Sequence, residues 1–349
     1  MKNDILIIGA GLTGLALAYF LKKKNVNALI LEANNKIGGR IHTVKGANNT
    51  TLEMGATWFS DQHLHLKKLL SELGLAYFKQ HTEGISLFET AAFTPPQKFE
   101  IPSSEEPSYR IIDGTSVLTN TLAKKLDKAQ IKIQTKVVSI EEHNEELHVF
   151  DNNGGCYVCK KVITTMPPNL LINNIDFQPN FSNNEINIFK NTHTWMGESI
   201  KFAVEYKRAF WKDKGYSGVL FSHANIIQEQ YDHSGYNNET FALKGFLNGS
   251  SADFDKETRE KKAIKQLSAL FGKEAQDYVT YNEKVWQFDE LTFSPYTNYV
   301  LPHQNNGNSL YQKAFFNGKL FIAGTETSPV FGGYMDGAVN SALNIAVKL

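Results

Sequence analysis

Residues whose types and spacing could do chemistry gather at the two ends of the chain. Gly9, Gly11 and Gly14 stand in G-x-G-x-x-G spacing between an apolar run at 4–8 and a helix-like stretch at 15–24. In that pattern one glycine permits a tight turn, one lets backbone approach a pyrophosphate, and one lets helix and strand pack closely. The helix N-terminus adds free N–H groups that suit phosphate oxygens. A second strand at 28–31 ends on Glu32, where a carboxylate can accept hydrogen bonds from ribose hydroxyls and disfavours a 2′-phosphate. The expected ligand is a dinucleotide. Gly38-Gly39-Arg40 shifts the choice from NAD towards FAD, because a second flexible turn returns a guanidinium to a diphosphate held in extended form. Gly55, in "EMGATW", is a place where backbone could approach a flat ring. Near the other terminus, "LFIAGTETSPVFGGYMDGAV" repeats the opening logic. A strand ends in small residues, Glu326 follows, and Gly332-Gly333-Tyr334 opens a last helix whose N-terminus faces the cofactor.

Other chemistries find less support. The two cysteines, Cys156 and Cys159, lie in a β-branched run, where positions three apart point to opposite faces. A structural role is expected for both. His63 and His65 are spaced wrongly for ligands on one helix face, so no metal is expected. The 36 basic and 36 acidic residues cancel, which gives no reason to expect a nucleic-acid or anionic-membrane partner. No apolar run approaches the ~20 residues of a membrane span. The first strand begins at Asp4, so no signal peptide is expected and the expected location is cytoplasmic.

The elements that must position these residues alternate in type. Helices are expected at 62–73, 114–126, 183–191, 256–271 and 333–348. Strands are expected at 131–150, 161–166, 200–206, 219–222, 240–247 and 319–323, and a strand at 278–286 is expected to return to the first domain. Prolines break 84–109 into short strand-like pieces. The expected class is α/β: a Rossmann-like FAD-binding domain (1–75, 110–175 and 285–349) intertwined with a mixed-sheet and helix substrate domain (76–109 and 176–284).

Taken together, these blocks resemble the flavin-containing amine oxidase family, whose best-known members are monoamine oxidases. The likeness continues through GATW at 55–58, KVVSI at 136–140, TTMPPNLL at 164–171, MGESIKF at 196–202, RAFW at 208–211 and FSPYTNY at 293–299. The blocks occur in family order along the whole chain. The resemblance implies that Gly9, Gly11, Gly14, Glu32, Arg40, Gly55, Val137, Glu326 and Met335 line FAD, with Val137 acting through its backbone near the adenine. It implies that Lys201 holds a water near flavin N5, where oxygen meets the reduced cofactor. Tyr296 and Tyr334 match the two rings of the family's aromatic cage for the amine.

Two departures qualify the likeness. Mammalian monoamine oxidases attach FAD through a cysteine just before the first cage tyrosine; here Pro295 stands there, so non-covalent FAD is expected. The 84–109 interval is also much shorter than the helical insertion those enzymes carry. The expected reaction is oxidation of a small-molecule amine by molecular oxygen, giving an aldehyde or ketone, ammonia or an amine, and hydrogen peroxide. An amino-acid substrate would need an arginine for its carboxylate, and Arg110 and Arg208 are candidates. The alternative is a renalase-like FAD oxidase of a reduced nicotinamide or other heterocycle. An NAD-dependent dehydrogenase and a non-catalytic FAD-binding protein are further alternatives.

Overall fold

The computed structural model describes residues 2–102 and 105–349. Ser103 and Ser104, inside the proline-broken interval, lie outside the described residues. Two large sheets organise the chain. The first runs, in spatial order, Asp176–Gln178, Val137–His143, Glu146–Asp151, Cys156–Thr164, Lys2–Ile8, Ala28–Leu31 and Ile131–Lys132. Lys2–Ile8 is parallel to both of its neighbours. The long strand Cys156–Thr164 divides its other edge: residues 156–159 pair antiparallel with Glu146–Asp151, and 162–164 pair parallel with Leu320–Ile322. Strands covered on both faces need continuous apolar runs. Ala28–Leu31 is accordingly buried at every position.

Helices Leu12–Lys23 and Met335–Lys348 pack together on one face of this sheet, with Leu64–Glu72 beside the latter. Asp336, fully buried in the closing helix, accepts the Leu66 N–H at 2.8 Å and sits 2.9 Å from His65 Nδ1. That carboxylate satisfies a free donor in the first turn of the neighbouring helix, where negative charge is also favoured.

The second sheet runs Tyr278–Val285, Ile200–Tyr206, Phe241–Leu247, Ile227–Asp232, Tyr216–Ser222, Ile85–Glu89 and Gln97–Phe99. Side chains alternate across a strand. Ile200, Phe202, Val204 and Tyr206 therefore pack with helix Lys256–Phe271, while Lys201, Ala203 and Glu205 face the other way, towards the first sheet. Leu52 and Met54 meet Ala203 and Ala242 on that inner face.

The α/β fold is the one expected, with differences in several of its elements. Tyr278–Val285 does not return to the first sheet. It pairs antiparallel with Ile200–Tyr206, because Tyr281 and Val285 complete the apolar face under the long helix. Pro167-Pro168 does more than end a strand: Pro168 occupies the first turn of a helix, Pro168–Asn174, where its missing N–H is harmless. Strand Ile227–Asp232 was not expected at all.

Candidate active site

A cavity of about 520 Å³ runs between the sheets. One end is built by the glycine turn. Gly9 has φ +105°, and a Cβ on Gly14 would stand 2.0 Å from the Gly9 carbonyl oxygen, so both positions require glycine for the turn and helix to touch. Gly11 differs. A Cβ there would meet nothing within 4 Å, because it would project into the cavity. No side chain caps the first turn of Leu12–Lys23, and Leu12 and Thr13 line the space beside Gly11. Glu32 is buried at the end of its strand, where Oε2 accepts the Ala10 N–H at 2.7 Å and Oε1 the Asn34 N–H at 2.8 Å. Burial raises its pKa, and those two donors oppose the rise.

The second turn closes on the first: the Gly38 N–H reaches the Ala10 carbonyl at 2.9 Å. It delivers Arg40, whose Nη1 and Nη2 face Glu326 Oε1 and Oε2 at 2.6 and 2.9 Å. Glu326 is fully buried behind the guanidinium, which keeps a quarter of its side-chain surface exposed. The Nη2–Oε2 hydrogen bond and the close Nη1–Oε1 contact anchor the guanidinium, and Nη1 also donates to the Trp195 carbonyl at 3.3 Å.

The opposite end is formed by Gly55, Ala56, Thr57, Trp58, Lys201, Glu229, Phe246 and Trp286. A Cβ on Gly55 would meet the Arg40 carbonyl oxygen at 2.2 Å, so this glycine serves backbone packing as well as lining the cavity. Lys201 is buried and donates to the Gly55 carbonyl. Its ammonium lies 4.8 Å from the Phe246 ring centroid, and burial lowers its pKa to about 8. Tyr334 and Trp195 line the cavity together with ring centroids 5.7 Å apart, and His303 stacks on both rings.

Of the residues singled out from sequence, Gly9, Gly11, Glu32, Arg40, Gly55, Lys201, Tyr334 and Met335 line this cavity. Gly14, Val137, Glu326 and Tyr296 do not. Gly14 packs under the turn, and Glu326 reaches the cavity through Arg40. Val137 is buried in its strand, two residues beyond Thr135, whose N–H bonds the Glu32 carbonyl at 2.8 Å. The Tyr296 hydroxyl accepts the Thr194 N–H at 2.7 Å, and its ring stacks on His193, which places it behind Trp195. Neither arginine considered for an amino-acid carboxylate is a lining residue. Arg110 is buried against His233 and the Ser234 carbonyl, and Arg208 pairs with Asp213 on the surface. Trp195, Glu229, Phe246 and Trp286 are lining residues that sequence reading missed.

The sequence matches the family of flavin containing amine oxidoreductases over residues 12–86 and 83–349. The chain belongs to that family. It is 23% identical over 451 aligned positions to a probable flavin-containing monoamine oxidase A of Dictyostelium discoideum, covering 99% of this chain and 97% of that protein. It is likewise 23% identical to the flavin-containing amine oxidase A of Sus scrofa, covering 99% and 84% of the two chains. Among solved structures, wild-type putrescine oxidase bound to putrescine superposes with a TM-score of 0.86 at 19% identity, covering 100% and 99%. Cyclohexylamine oxidase from Brevibacterium oxydans gives the same score and identity, covering 100% and 98%. The two matched stretches meet at 83–86, where the short 84–109 interval begins, and the 451-position alignment exceeds the 349 residues here.

The protein is therefore an oxidoreductase whose family cofactor is a flavin. The cavity's polar groups fit such a cofactor: an open glycine turn at an uncapped helix start, a buried carboxylate able to accept from hydroxyls, and an anchored guanidinium able to face an anion. Gly11→Ala should leave the thermal midpoint of the flavin-free protein within about 2 °C of flavin-free wild type while sharply lowering the flavin released by acid precipitation. Gly14→Ala should instead lower the midpoint by several degrees, since overpacking against fixed backbone costs about 1–3 kcal/mol. Equal flavin content in Gly11→Ala and wild type would remove Gly11 from the cradle.

Proposed function

We propose that the protein is an FAD-dependent amine oxidase, producing an aldehyde or ketone, ammonia or a smaller amine, and hydrogen peroxide from amine, oxygen and water. One observation carries this reading: a single cavity joins the dinucleotide cradle at Gly11 to a buried lysine among aromatic rings. FAD, when bound, accepts the hydride equivalent from the amine's α-carbon and passes electrons to oxygen. The chain's own groups do the rest. Trp58, Phe246 and Trp286 exclude water from the reacting end, and Tyr334 with Trp195 offers electron-rich faces to an approaching amine. Lys201 holds positive charge where oxygen takes up electrons. No cysteine lines the cavity, and Pro295 is exposed outside it, which supports non-covalent binding. Yellow colour retained in the acid pellet of wild type would contradict that part of the reading.

Glu229 narrows the substrate. It stands in one row with Phe246 and Lys201 on three consecutive strands of the inner face. Neighbouring strands lie roughly 4.8 Å apart, so the backbones at Glu229 and Lys201 are separated by about 10 Å. A carboxylate at that spacing suits a second ammonium on a short diamine whose other nitrogen is at the reacting end. Arg40 is the arginine on the lining among the described residues, and Glu326 already holds it, so a substrate carboxylate finds no free guanidinium there.

Lys201→Met should slow reoxidation by oxygen about 10²–10³-fold and leave anaerobic reduction by amine nearly unchanged, as expected for loss of one oriented charge in a dry site. Equal effects on both half-reactions would remove Lys201 from that role. Glu229→Gln should raise KM for a four- or five-carbon diamine about tenfold or more, with little change for a monoamine of similar length. The check is peroxide release across matched amine pairs. Parallel changes for both members would sink the diamine assignment.

A further inference from the structure

A second lysine lies beside Lys201 and has no place in the reaction just described. Lys244, on strand Phe241–Leu247, is opposite Ala203, while Lys201 is opposite Phe246, so the two lysines are diagonal neighbours on the inner face. Both are buried, Lys244 completely. Lys244 donates to Thr57 Oγ1, Thr57 Oγ1 donates to the Gly55 carbonyl at 3.0 Å, and Lys201 donates to that same carbonyl. The Gly55 carbonyl and Thr57 hydroxyl that hold the two amines are themselves hydrogen-bonded, which brings the amines to adjacent points of one buried chain. They share one short polar chain sealed by Trp58 and Phe246.

The surrounding charges do not allow two ammonium groups here. Facing Lys244 are Glu53, Lys201, Arg110, Glu229 and His233. Of the carboxylates near the three buried cations, Asp232 acts on Arg110 and is already paired with Lys212, Glu229 is only half-buried, and Glu53, whose Oε2 has no hydrogen-bond partner, is the fully buried one facing the two lysines. Arg110 keeps its proton under nearly all conditions. Lys244 makes no ion pair among the described residues. Its ammonium would lie 3.9 Å from the Trp58 ring centroid, but that attraction is smaller than the penalty of desolvating a second buried ammonium.

Building on the role given to Lys201, we propose that Lys244 is a positioning residue: a neutral amine that accepts a hydrogen bond from the Lys201 ammonium and keeps that charge in place near neutral pH. Burial and the neighbouring Lys201 both lower the pKa of Lys244 well below its ordinary value. The acceptor it provides acts in the opposite direction on Lys201, whose pKa it helps to hold up near about 8 against the effect of burial.

Two measurements on Lys244→Met test this. The first is the pH profile of reoxidation, which falls as Lys201 loses its proton. Its inflection should move below about 8 in Lys244→Met and return towards wild type in Lys244→Gln, whose carbonyl can accept. An upward shift would mean that Lys244 carries a charge repelling Lys201, and would overturn the proposal.

The second is stability against pH. A neutral buried lysine has a folded pKa below its unfolded value, so unfolding takes up a proton and stability rises with pH until the unfolded group also deprotonates near about 10.5. Between about pH 8.5 and 10, the wild type should gain stability with a slope one proton steeper than Lys244→Met. Parallel curves would overturn the proposal. Should Lys201→Met prove not to affect reoxidation, the oxygen role fails separately, because the stability slope still reports the charge on Lys244. If Lys244→Met does not fold, both readings are made on Lys244→Gln, where an unshifted inflection and a slope reduced by one proton are expected.

Discussion

One short segment, Leu52–Trp58, ties the two sheets together and shapes the cavity between them. It leaves the first body at Glu53, whose Oε1 is held by the Thr115 N–H at 2.6 Å and the Thr43 hydroxyl at 2.9 Å. The Met54 carbonyl then accepts the Trp286 indole N–H at 2.7 Å, and the Gly55 carbonyl and Thr57 hydroxyl receive the two lysines of the second sheet. Leu52 and Met54 supply only a small apolar contact with Ala203 and Ala242. The junction is thus carried largely by buried polar groups, with the Met54 and Gly55 carbonyls and the Thr57 hydroxyl paired across the gap. Such networks are sensitive to the loss of any member, because the group left behind is buried and unpaired. The same contacts hold Lys201 and Trp58 at the cavity, so the geometry of the reacting end follows from the way the sheets are joined.

Much of the nucleotide end was legible in sequence because its constraints act through backbone. A turn that presses Gly14 against the Gly9 carbonyl admits no side chain, and a carboxylate at the end of the second strand has a fixed place relative to that turn. The pairing of Arg40 with Glu326 was not legible, since it joins residues 286 apart in the chain. Both are expected from sequence to line the cofactor; in the structure Arg40 lines the cavity and Glu326 stands behind it.

The substrate end was harder to read for a related reason. Strand Ile227–Asp232 carries four polar residues in six and gives no clean alternation. Its buried polar members bond within the second sheet's own body: Gln230 donates to the Gly218 carbonyl at 3.2 Å, and Asp232 accepts the Trp211 indole N–H at 3.0 Å. Missing the strand meant missing Glu229. Tyr296 was assigned to the cavity from its place in a loop motif, but a backbone donor at Thr194 draws its hydroxyl the other way. Trp195 takes the position beside Tyr334, and nothing local in "THTWMG" marks it.

What distinguishes this site is the pairing of a dry, cation-bearing end with an acidic residue along the same sheet row. On the proposed function, the first would favour transfer of electrons to oxygen, and the second would hold an ammonium at the far end of a diamine whose reacting nitrogen is neutral. The direct measurement is rapid anaerobic mixing of the yellow protein with a short diamine, a matched monoamine and a reduced nicotinamide, following loss of flavin absorbance. Fast bleaching by amines, fastest with the diamine, is the expected result. Bleaching by the reduced nicotinamide alone would contradict an amine site in this cavity.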